Sequence, residues 1–152
     1  MEMSDYRFES FVVELLQAMG YGGADSSSGE VTGQTADGGI DGIIHGDKLG
    51  FDSIYIQAKH WDPVRTVTRP DIQGFAGALA GYGANKGLFI TTARFSEGAR
   101  DYARKLSTAK TKIVLVDGQQ LAQLIIEYDF GVTVRKTYEL KTIDRDFFDE
   151  DA

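Results

Sequence analysis

The stretch DGGIDGIIHGDKLGFDSIYIQAK, from Asp37 to Lys59, is the most informative part of this chain. Residues from about Ile40 to Ile44 and from about Ser53 to Lys59 read as two strands, joined by the polar turn His45–Gly50. In the second, Ile54, Ile56 and Ala58 alternate with Tyr55, Gln57 and Lys59. A period of two therefore puts Gln57 and Lys59 side by side on one face. Strands joined by a short turn pair antiparallel, which brings Asp41, near the start of the first, close to the end of the second. A carboxylate, an amide oxygen and an ammonium then converge at one end of the sheet. Phosphodiester hydrolysis with a divalent cation needs that combination: hard oxygen ligands, an activated water, and positive charge for the phosphate. The glycines around Asp41 leave room for a nucleic-acid backbone. The same residues also suit a plain Gly- and Asp-rich turn and a lysine ending an edge strand, and neither piece is specific by itself.

Outward from this stretch the chain alternates helices and strands. Upstream, Phe8, Phe11, Val12, Leu15, Leu16 and Met19 recur at helical spacing, and Gly20 stands where a left-handed C-terminal cap is wanted. The Gly/Ser-rich segment Gly22–Gly29 reads as a loop. Downstream, Pro70 opens a second helix to about Tyr82, with Ile72, Phe75, Ala76 and Leu79 facing inward. Its small residues Gly74, Ala76, Gly77, Ala78, Ala80 and Gly81 permit close packing, against the sheet or across a dimer. Gly87–Thr92 reads as a buried strand, and Ser96 caps a third helix with Ala99, Tyr102, Ala103 and Leu106 on its apolar side. Ile113–Val116 is another buried strand, and Asp117 caps a fourth helix carrying Leu121, Leu124, Ile125 and Tyr128. Val132–Leu140 alternates like a last strand, and the acidic end reads as frayed. This order describes an α/β sandwich with a mixed sheet.

The 152 residues suit one domain, read as 1–143 with an acidic tail at 144–152. No apolar run approaches the roughly 18 residues of a membrane span, and the first twenty residues lack the pattern of a signal peptide; the expected location is the cytoplasm. There is no cysteine and only His45 and His60, so any metal is held by oxygen ligands, which points to magnesium or manganese. The net charge of -7 runs against nucleic-acid binding. Its distribution softens that objection. Asp144, Asp146, Asp149, Glu150 and Asp151 crowd the tail, whereas Arg94 to Lys112 holds six bases against Glu97 and Asp101.

The segments Phe8-Glu9, Met19-Gly20-Tyr21, Asp37 to Gly42, Gln57-Ala58-Lys59, Lys86 to Thr92 and Asp117-Gly118 come in the order seen in Mrr-like restriction endonuclease domains, over roughly Phe8 to Tyr128. The chain thus resembles that family, a branch of the PD-(D/E)xK nuclease superfamily. The resemblance implies an αβββαβ sandwich whose mixed central sheet is flanked by helices, and metal-dependent hydrolysis of DNA. It also implies roles. Asp41 matches the metal-binding aspartate, Lys59 the catalytic lysine, and Gln57 the place where most of the superfamily has an acid. Glutamine there marks the Mrr branch, and it leaves the site one negative charge short. Glu9 is the candidate helper. It lies about 20° from Leu16 on the helical wheel, at the rim of the apolar stripe, and related resolvases carry a glutamate there; a solvated helix-start acid is the alternative. Asp37 is either a second acid of the site or the cap of its own turn.

Expected ligands of magnesium, or manganese, are therefore Asp41, Gln57 and Glu9. Arg94, Arg100 and Arg104 are candidate phosphate contacts, although Asp101 and Lys105 also suit a solvated surface pair. Expected partners are modified double-stranded DNA, a DNA-recognition domain outside these residues, and a second copy, since a double-strand cut needs two sites. Two alternatives stay open at this level: a structure-specific nuclease of the resolvase kind, and a nuclease-fold DNA-binding module weak in catalysis.

Overall fold

A computed structural model describes residues 3–23, 26–32 and 39–148. Helix α1 (Asp5–Ala18) starts at Ser4, whose hydroxyl accepts the Arg7 N–H at 3.2 Å, and stops at Gly20, with φ at 98°. A short 3-10 turn (Ser26–Ser28) lies within the predicted loop Gly22–Gly29, and strand β1 (Gly29–Val31) begins at its last residue. Next come β2 (Gly42–His45), β3 (Ser53–Lys59), β4 (Thr66–Val67) and α2 (Arg69–Gly81). Beyond them lie β5 (Lys86–Thr91), β6 (Arg94–Phe95), α3 (Glu97–Leu106), β7 (Lys112–Val116) and α4 (Gly118–Glu127). Ser96 and Asp117 cap α3 and α4 as predicted, and Thr68 with Asp71 forms a capping box on α2.

The main sheet has the order β1-β2-β3-β5-β7, antiparallel through β3 and parallel beyond it. The predicted antiparallel pairing of β2 with β3 holds, in the register Gly42 opposite Ile56. Alternation along β3 then sorts two cores. Ile56 and Ala58 join Phe8, Val12, Leu15 and Leu16 of α1 and Leu121 of α4. On the other face Tyr55 packs with Ile72, Phe75 and Leu79 of α2, Phe89, and Ala99 and Ala103 of α3. Both faces of the sheet are thus covered by helices, the arrangement parallel strands require.

Two expectations need correction. Val132–Leu140 forms no strand: it is exposed and carries no regular structure, because alternation alone supplies no ladder partner for its main chain. Asp101 pairs with Arg104 at 2.7 Å, one residue earlier on α3 than the Lys105 partner expected. Residues 145–148 form a short helix, α5 (Arg145–Phe148); Asp149, Glu150 and Asp151 of the acidic tail lie outside the described residues. The glycines of α2 resolve an open choice. A Cβ at Gly74, Gly77 or Gly81 would meet nothing within 4 Å, so they face away from the sheet.

One glycine holds the fold together by close approach. A Cβ at Gly118 would stand 2.3 Å from the carbonyl oxygen of Thr92, and the Gly118 N–H donates to Ala93 O at 3.0 Å. Main chain meets main chain here, so no side chain can rotate away to make room. We expect Gly118→Ala to cost about 2 kcal/mol or more, at the upper end of overpacking effects. Urea unfolding with an unshifted midpoint would show that α4 docks more loosely than this.

Candidate active site

β2 begins at Gly42, two residues later than predicted, and the reason defines the site. Beyond Gly42 the next β3 donor toward this side, the Ala58 N–H, is taken by a side chain: Asp41 Oδ2 accepts it at 2.8 Å. The Asp41 N–H donates to Ile56 O at 2.8 Å, and Asp41 O accepts the Thr32 N–H at 3.0 Å. Two of these hydrogen bonds hold this half-buried aspartate against the carboxyl end of β3, and the third ties it to the residue after β1. Asp41 thus has a structural role beside the chemical one expected of it.

Lys59, half-buried at the end of the same strand, is fixed through its carbonyl. That oxygen accepts Thr91 Oγ1 at 2.7 Å, the Trp61 N–H at 3.0 Å and the Thr92 N–H at 3.3 Å. Thr91 and Thr92 are thus latches on the end of β3, Thr92 through its hydroxyl on Trp61 O as well. His60 stacks on Phe8 with centroids 5.1 Å apart, so its ring packs against α1.

Gln57 is the least ordinary member. It is 9% exposed, and its Oε1 is buried with no hydrogen-bond partner. A buried amide oxygen left unmade costs about 1–3 kcal/mol, which a ligand would recover. Its amide is crowded from behind by Gly39, where φ is 84° and a Cβ would come 2.8 Å from Nε2. A side chain at position 39 would displace the amide. Asp37 and Gly38, just before, lie outside the described residues.

Glu9, half-buried on α1, completes the group. Burial pushes its carboxyl above the usual range, the Asp41 carboxylate pushes it further, and the Lys59 ammonium pulls it back. Asp41 is also raised, first by burial; the Ala58 N–H and Lys59 oppose that shift, and Asp5 adds to it. Asp5, in the first turn of α1, is a contributor to this field that sequence reasoning missed. Glu9 is partly buried and feels Asp41 and Lys59, which sets it apart from a freely solvated helix-start acid. Glu14 does behave that way, pairing with Arg7 at 2.8 Å in solvent.

The donors suit a hard divalent cation. Two partly desolvated carboxylates feel each other, and the strand that holds Asp41 also carries a buried amide oxygen with nothing to bind; a cation shared among them would relieve both conditions. No three Asp, Glu, His or Cys residues among those described are grouped to hold a metal, so carboxylates and imidazoles alone do not complete a ligand set there. The predicted phosphate contacts fare less evenly. Arg100 is held by Asp117 at 2.8 Å and Arg104 by Asp101 at 2.7 Å, whereas Arg94 is exposed and its Nε donates to Pro63 O at 3.3 Å.

Comparison with known proteins bears on the family and the fold. The family model described as restriction endonuclease, Mrr_cat, matches residues 1–125. The chain is 44% identical over 149 residues to the type IV methyl-directed restriction enzyme EcoKMrr of Escherichia coli K12, covering 98% of this chain and 46% of that protein. It therefore spans about half the length of the curated relative it matches. Among solved structures, the protein of unknown function AF1548 aligns with a TM-score of 0.63 at 17% identity, over 83% of this chain and 67% of that one. The DNA modification-dependent restriction endonuclease AspBHI aligns at 0.59 and 19%, over 82% and 31%. Both likenesses concern the fold.

Proposed function

The chain belongs to the Mrr-type restriction endonuclease family, and we propose that it is a divalent-metal-dependent endonuclease module cutting modified double-stranded DNA. Endonucleases of this kind generally depend on a divalent metal; magnesium, with manganese as a substitute, is our assignment, held by Asp41, Gln57 and Glu9. The observation that carries it is the buried, partnerless Gln57 Oε1 on the strand that also carries Lys59 and holds Asp41, with Asp41 and Glu9 both partly desolvated.

When bound, the cation supplies Lewis-acid charge for phosphodiester hydrolysis. The chain's own residues do the rest. Lys59 presents an ammonium to the non-bridging phosphate oxygens as charge builds on them. Asp41 is oriented for its part by the Ala58 N–H, and Thr91 keeps the Lys59 main chain from shifting. Recognition of the modification we assign to a separate DNA-reading module, and cutting of both strands to a pair of copies meeting through the open face of α2. No helix among the described residues is long and apolar enough to cross a membrane, and we place the protein in the cytoplasm.

The test is incubation of this chain with methylated and unmethylated plasmid in magnesium, manganese or EDTA. We expect cation-dependent cutting with little preference between the plasmids, because base readout needs contacts in the grooves that we assign elsewhere. A cation-induced rise in melting temperature should accompany it. Cutting in EDTA would defeat the metal assignment. Tight binding confined to a methylated duplex would show that this domain reads the modification itself.

A further inference from the structure

Three arginines beside the catalytic strand are ordered without an anionic partner. The segment that follows Lys59 runs through Trp61 and Arg65 into β4 and Arg69, and β4 pairs in parallel with β6, setting Thr66 opposite Arg94. Arg65 lies over the Trp61 ring at 3.7 Å and Arg69 over the Tyr102 ring at 5.2 Å. Arg94 is held to Pro63 O through Nε, and its N–H donates to Arg65 O at 3.2 Å. All three are exposed, and none is in an ion pair among the described residues. The acids close in sequence are engaged elsewhere. Asp62 accepts the Val64 N–H at 2.9 Å, and Asp71 accepts from Thr68 in the capping box. Glu97 sits in the first turn of α3 and bridges to none of them.

We propose that Arg65, Arg69 and Arg94 form the surface that grips the phosphodiester backbone of DNA as it enters the site; this rests on the nuclease function proposed above. Stacking on an aromatic ring occupies the flat face of a guanidinium and leaves its N–H edge for a phosphate. It also orders the side chain in advance, which lowers the entropy lost on binding. Arg100 and Arg104 are already neutralised by Asp117 and Asp101. On a chain of net charge -7, unpaired arginines tied to the Lys59 strand are where a polyanion is drawn in. The link is short: the Trp61 N–H donates to Lys59 O, and Trp61 O receives the Thr92 hydroxyl.

The experiment is fluorescence anisotropy of a labelled duplex, in EDTA so that nothing is cut, across a series of salt concentrations. Each phosphate contact contributes a slope of about 0.9 in log K against log salt. Replacing Arg65, Arg69 and Arg94 together by Gln should lower that slope by roughly 2–3 and weaken binding at least about tenfold at moderate salt. The triple Lys variant should keep most of the slope, which separates lost charge from lost folding. Arg104→Gln should leave it unchanged. An unchanged slope in the triple Gln variant, while the parent binds duplex and cuts plasmid, overturns this surface alone. No duplex binding by a parent that cuts plasmid overturns this surface, and a parent that neither binds duplex nor cuts plasmid with a cation overturns the nuclease function as well.

Discussion

Lys59→Ala and Asp41→Asn are each expected to lower cation-dependent cleavage at least about a hundredfold, the scale of removing one preorganised charge-stabilising group. For Lys59 the argument is positional. Its main chain is tied by three hydrogen bonds from Trp61, Thr91 and Thr92, so the side chain is presented from a rigid base and alanine removes little else. The variant should melt like the parent. For Asp41 the choice of substitution matters. Alanine would strand the Ala58 N–H that the carboxylate now satisfies, a loss of about 1–3 kcal/mol that would confuse misfolding with lost chemistry. Asparagine can still accept that hydrogen bond while giving up the charge. Asp41→Asn should also lose most of its cation-induced rise in melting temperature. If either variant cut plasmid at the parental rate with the same cation, its role in the site would have to be abandoned.

Much of this was legible in the sequence because the decisive spacing is local. Gln57 and Lys59 are two apart on one strand, and a period of two is all that is needed to align them. The short turn from His45 to Gly50 made the antiparallel partner unambiguous, which delivered Asp41. Helix caps at Ser96 and Asp117 were equally readable, since their hydroxyl and carboxylate meet N–H groups within three residues. What failed was whatever depended on distant partners. β1 was missed because Gly29–Val31 is only three residues long and becomes a strand solely through β2. Val132–Leu140 has a better strand pattern than β1 and finds no partner. The two-residue strands β4 and β6 carry no period at all, and with them the arginines at 65 and 69 escaped notice. Arg100 and Arg104 looked equally basic in sequence, and only the fold shows their charge already matched.

Gln57→Glu is expected to tighten magnesium and manganese binding about tenfold, close to 1.4 kcal/mol. The direct attraction between a divalent ion and one more unit charge is larger than that at an effective dielectric of about 20. It is offset because Glu9 and Asp41 already repel each other in a desolvated space, and a third carboxylate adds to that repulsion. The same argument predicts an opposite effect without metal: in EDTA the Gln57→Glu protein should melt below the parent. This crossover, less stable empty and tighter with the ion, is what a ligand position must show. Activity need not follow affinity, since a more tightly held ion is not thereby better placed. Gly39→Ala tests the same oxygen from behind. Its Cβ would crowd Gln57 Nε2, turn the amide and weaken cation binding, and it should have little further effect once Gln57 is alanine. Calorimetry showing parental cation affinity in Gln57→Glu would mean that the buried amide oxygen is a packing defect and the ion is held by the carboxylates alone.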